Sequence, residues 1–189
     1  LVGGAVLTVG LLGGTAWAGG NGAQGFTQHV HGVATGLVEI DFNPNTGAPA
    51  LPAGCWLSPT EGIVSTDGNG IMHGIGNKNG GWFTTTYTGG AAVYPLVLDA
   101  NGSPVQDHST GNNEVDTSAG PLATGHLTTW FGDENNGAKN GTVKVDVEHA
   151  TASFHGTDSS GNAVNLNAHF HIGTNQYGQP TATVEAATC

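Results

Sequence analysis

Nine histidines stand among 189 residues that include three basic and 14 acidic side chains. Two pairs share one spacing, His29-Val30-His31 and His169-Phe170-His171. On a β-strand, side chains at i and i+2 leave the same face about 7 Å apart. Each pair therefore offers two imidazoles side by side. If the two strands are neighbours, four imidazoles gather in one patch, a donor set for Zn²⁺ or Cu²⁺. The competing expectation is a polar outer face on which these rings hydrogen-bond to hydroxyls and amides. His73, His108, His126, His149 and His155 are scattered and read as structural.

Paired carboxylates are the second candidate. Glu39 and Asp41 share a strand face, as do Asp146 and Glu148, and two facing carboxyls are what glycoside hydrolysis requires. Trp56, Trp82, Trp130, Tyr87, Tyr94 and Tyr177 supply aromatic rings for a small sugar site, but a composition 7% aromatic is thin for a glycanase cleft. The stretches Asp67–Gly70, Asp99–Gly102 and Asp133–Asn136 are oxygen-rich, so Ca²⁺ is weighed. None has the twelve-residue EF-hand spacing, and D-x-N-G is first a turn. The chain has no G-x-S-x-G, P-loop, dinucleotide fingerprint or H-E-x-x-H. Asn101-Gly102-Ser103 and Asn140-Gly141-Thr142 are glycosylation sequons in expected turns.

Charge excludes more than it selects. With no arginine there is no guanidinium fork for phosphate or carboxylate, and a net charge of -11 repels nucleic acid and anionic membrane. The two cysteines, Cys55 and Cys189, are too few for a zinc site and are expected to form one disulfide. The apolar run Leu1–Ala18, ending Ala16-Trp17-Ala18, has the form of a secretory signal peptide's core and cleavage site. It also fits a retained arm added to a neighbouring subunit's sheet. Both point to a secreted or cell-surface protein.

The elements that must position these groups are β-strands. Residues 19–189 are expected to form one all-β domain, an antiparallel sandwich or barrel of roughly 8–10 short strands. Val-, Thr- and aromatic-rich segments alternate with turn signals at Asp67-Gly68, Asn101-Gly102, Asn140-Gly141 and Gly161-Asn162. Asn43–Gly54 and Asp107–Gly120 read as long surface loops. The surest element is a hairpin over Thr142–Ile172. In it Val164, Leu166, Ala168 and Phe170 point inward, and Asn165, Asn167, His169 and His171 outward. Keeping Val143, Val145 and Val147 on one face with Ala150, Ala152 and Phe154 requires a bulge near Glu148-His149.

These features predict a non-enzymatic extracellular structural protein, a surface, matrix or filament subunit that self-associates, with donor-strand addition of the N-terminal arm as one route. Its expected partner is its own copy. A secreted metal-binding protein using the H-x-H pairs, and a carbohydrate-active or carbohydrate-binding module, are the alternatives.

Overall fold

The computed structural model describes residues 24–32, 37–39, 51–77, 80–106, 113–137, 143–174 and 180–189, with backbone alone at 37–39, 77, 135–137, 143–148, 170–174 and 180–185. Eight strands carry the fold: β1 (Gln24–His31), β2 (Leu37–Glu39), β3 (Glu61–Asn77), β4 (Gly80–Pro95), β5 (Ala123–Gly137), β6 (Val143–Asp158), β7 (Ala163–Thr174) and β8 (Pro180–Thr188). They form one antiparallel sheet in the order β1-β3-β4-β5-β6-β7-β8, with β2 pairing β3. The expected all-β, antiparallel single domain is what the chain forms. It is a single sheet, and it does not close into a barrel. The apolar run 1–18, His108, the turn at Asn140-Gly141, Tyr177 and most of the loop from Asn43 lie outside the described residues.

The strands are longer than the turn signals implied. β3 runs for 17 residues and β4 for 16. Asp67-Gly68 is therefore not a turn: it sits mid-strand, where a register shift between Ser65 and Asp67 gives β3 one extra residue against β4. The reason lies across the ladder. Gly68 pairs with Gly89, and the buried Tyr87 ring folds over both. A Cβ on either glycine would run into the Tyr87 hydroxyl or the facing main chain. An aromatic covering cross-strand glycines supplies the contact that the missing side chains do not.

Alternation sorts the residues onto two faces. On the inner face Ile63, Val93, Leu127, Phe154 and Leu166 are fully or almost fully buried, with Tyr87, Ala91, Ala123, Ala152 and Val164 around them. These residues cluster where β3 begins and β4 ends, under the segment 51–60. Leu51 and Leu57 of that segment enter the core, and Trp56 lies on Phe154 at 5.6 Å between ring centroids. The Trp56 Nε1–H donates to the Asn165 carbonyl at 2.6 Å. Cys55 is disulfide-bonded to Cys189, just after β8, with the Cα atoms 5.4 Å apart. The expected disulfide is present, and it fastens the cover to the far edge of the sheet.

The β6–β7 hairpin forms as expected, with Val164 and Leu166 buried and Asn165, Asn167 and His169 exposed. The expected bulge does not form. Both the β5–β6 and the β6–β7 registers run unbroken through Glu148 and His149. Residues 145 and 147 thus alternate out of phase with Ala150, Ala152 and Phe154, and the one shift in the β5–β6 register lies nearer the start of β6, where Asn136 pairs with residue 145 and Gly137 with residue 143. From residue 146 to His149 the strand is already paired with β5 on one side and β7 on the other, and that pairing fixes its phase. The side chain of Phe170 lies outside the description.

Candidate functional site

The outer face of the sheet gathers the histidines. His29 and His31 of β1, His73 of β3, His126 of β5, His149 and His155 of β6 and His169 of β7 all project from it, and all are exposed. The parity follows from strand geometry: His126, His149, His155 and His169 each lie an odd number of residues from a core position on their own strand. Beyond the β3 bulge the register sets His73 opposite Thr84, three residues from Tyr87, and His29 and His31 on the same face.

Register aligns this face into rows that cross the sheet. One row reads His31, Asn69, Thr88, Thr128, Ser153, Asn167, Thr188, one residue from each strand of the main path. Along it the His31 Nδ1–H donates to Asn69 Oδ1 at 2.8 Å, and Thr88 and Thr128 share a hydroxyl bond at 3.3 Å. The Ser153 hydroxyl donates to Asn167 Oδ1 at 2.7 Å. In the adjoining row His126 faces His155, but the two rings turn apart. His126 Nε2 bonds to the Thr88 hydroxyl at 2.7 Å, and His155 Nδ1–H donates to Asn165 Oδ1 at 2.7 Å. On the other side of the first row, Trp82 stands 40% exposed beside His73, edge to face at 5.8 Å. Trp130 lies against His149 at 6.4 Å.

The structure does not bring the two H-x-H pairs together. β1 is the edge strand, and β3, β4, β5 and β6 separate it from β7. At about 4.8 Å per strand the pairs are some 24 Å apart along the sheet. They share a face without sharing a strand neighbour, because strand order, which no local spacing encodes, decides adjacency. His171 is described by its backbone alone, opposite His149. Among the described residues no group of three or more His, Cys, Asp and Glu could hold a metal ion. In the His29–His31 pair the rings are nearly parallel, 11° apart, with centroids at 6.4 Å.

The oxygen-rich stretches resolve into strand and turn. Asp67–Gly70 lies inside β3, and Asp133–Asn136 inside β5. Asp99 is a turn residue: its carboxylate accepts from the Ser103 N–H at 2.9 Å and the Asn101 N–H at 2.8 Å, and Gly102 takes a φ of 80°. Those bonds hold the Asp99 pKa below its ordinary value, the Ser103 N–H contributing most. Asp116 is lowered chiefly by the Ser118 hydroxyl, and Asp158 chiefly by the Asn162 side-chain amide. The side chains of Glu39, Asp41, Asp146 and Glu148, the carboxylates weighed for glycoside hydrolysis, lie outside the description.

Comparison with family models, with curated proteins and with solved structures yields no match. The functional reading rests on the geometry of this chain.

Proposed function

We propose that the chain is a secreted, non-enzymatic structural protein that associates with its own copies along the edge of β1. The observation that carries this reading is the state of that edge. Gly32 N–H bonds to the Gly68 carbonyl at 2.8 Å, and antiparallel alternation then assigns the ladder bonds to even-numbered residues of β1. The main-chain groups of Gly25, Thr27, His29 and His31 point away from β3, where no described strand pairs with them. Edge strands are usually guarded by lysine, proline or inward charge, and Gln24–His31 contains no lysine, proline, aspartate or glutamate. The disulfide is compatible with an oxidising, extracellular compartment.

The test is Thr27→Pro. It removes an outward N–H and leaves the ladder to β3 intact, whereas Gln28→Pro removes a ladder bond. Light scattering and electron microscopy of the full chain should show assemblies that Thr27→Pro abolishes with the circular dichroism spectrum unchanged. A monomeric wild type, or a Thr27→Pro variant that assembles as well as wild type, overturns the reading. Deleting residues 1–18 tests the donor-strand route, because assemblies that survive the deletion do not use that arm.

Trp82 and Trp130, exposed or half-exposed among hydroxyls and amides on the outer face, favour carbohydrate binding as the second reading. Retention on insoluble polysaccharide, lost in Trp82→Ala, supports it.

A further inference from the structure

We propose that His29 and His31 form by themselves a two-imidazole chelate for a divalent transition-metal ion, Cu²⁺ above the others, with Asn69 as its positioning residue. Both side chains are exposed on one face of β1, and their rings already lie nearly parallel with centroids 6.4 Å apart. An ion about 2 Å from each of two nitrogens keeps those nitrogens within about 4 Å of each other. Closing that gap calls for a turn of the exposed His29 ring, with His31 kept on Asn69.

Asn69 sets the tautomer. Its Oδ1 accepts the Nδ1–H of His31 at 2.8 Å, leaving the Nε2 lone pair for an ion. This is the arrangement by which metal-bound imidazoles are ordinarily oriented, the second ring nitrogen donating to an oxygen. Asn69 faces His31 in a non-hydrogen-bonded register pair, the kind in which side chains approach most closely. His29 faces Ile71, which offers no competing donor. A chain of net charge -11 adds a field that draws cations in.

The donor set selects the ion. A structural zinc site calls for four protein ligands in a tetrahedron, and this pair supplies two. Cu²⁺ stands at the top of the divalent series for nitrogen donors and accepts water in its remaining positions. The site needs no third side chain, and it does not depend on association along β1.

The experiment is a titration of the full chain with copper sulfate at pH 7, followed by calorimetry and electron paramagnetic resonance. The expected tight component shows coupling to two nitrogens. His29→Ala and His31→Ala should each weaken it by roughly a hundredfold, because each turns a chelate into a single ligand. The double variant should lose little more. Asn69→Ala should weaken it about tenfold at unchanged stoichiometry. The double variant His169→Ala/His171→Ala should leave it intact. Thermal unfolding without metal checks that every variant folds. Three outcomes overturn the proposal: additive, independent losses from the two single variants, a tight component that survives loss of both histidines, or its removal by the β7 double variant.

Discussion

The Tyr87 hydroxyl donates to the main-chain carbonyl of Asp67 at 2.6 Å, at the point where β3 carries its extra residue. One buried side chain thus both roofs the glycine pair Gly68 and Gly89 and bonds a main-chain carbonyl beside the bulge. Tyr87→Phe keeps the roof and removes the bond. It should cost about 0.5–1.5 kcal/mol in urea unfolding, the usual net worth of one hydrogen bond. Gly89→Ala should cost more, because its Cβ meets the main chain of β3 as well as the tyrosine.

Thr85 behaves in the opposite sense. Its hydroxyl is buried on the inner face and has no hydrogen-bond partner among the described residues. Thr85→Val exchanges that hydroxyl for a methyl of similar shape and should leave stability unchanged or raise it, read as the unfolding midpoint. A loss of more than about 1 kcal/mol would show that the hydroxyl is bonded in solution.

The hairpin supplies a paired test of the two faces. Phe154 and Leu166 are fully buried and face each other across β6 and β7. Phe154→Ala should cost about 3–5 kcal/mol and Leu166→Ala about 2–5 kcal/mol. Asn167→Ala, on the exposed face, should cost far less. Equal losses would mean that the register is shifted by one residue.

Reduction should be felt strongly. The Cys55–Cys189 bond spans 134 residues, and in the chain-entropy picture a loop of that size is worth about 4–5 kcal/mol. Cys189→Ser should lower the melting temperature while the β spectrum persists. The non-reduced chain should show no thiol that reacts with iodoacetamide under denaturing conditions.

Acid should loosen the turns in a defined window. Asp99, Asp116 and Asp158 have folded pKa values below the ordinary 3.8, so each carboxylate stabilises the fold above that pH. That contribution is lost as pH falls through 3.8 toward the lower folded values, where protonation removes the acceptor of the turn N–H bonds. Denaturant midpoints should fall across this range, and Asp158→Asn should flatten the fall.

Legibility in the sequence followed the range of the interactions. The β6–β7 hairpin could be read because alternation over Ala163–His169 and the turn around Gly161 are local signals, and the disulfide because two cysteines allow one pairing. The long β3 and β4 could not. Asp67-Gly68 looks like a turn until Tyr87, twenty residues on, is known to cover it. The spacing of His29 and His31 correctly placed both rings on one face. What it could not supply was the strand order that keeps them from His169 and His171, or the register that puts Asn69 beside His31.

From β3 to β8 the spatial order of strands is the order of the chain. Such a meander can grow by adding one strand at a time, each closing a short loop except the connection 96–122 between β4 and β5, so the pairing of long strands need not wait on distant segments. The cover is different. Cys55 precedes the first strand of this series and Cys189 follows the last, so their bond joins the beginning of the growth to its end. The disulfide therefore acts as a latch on a finished sheet. A chain stalled at β6 or β7 leaves Cys55 without its partner, so a free thiol distinguishes the incomplete sheet from the finished one.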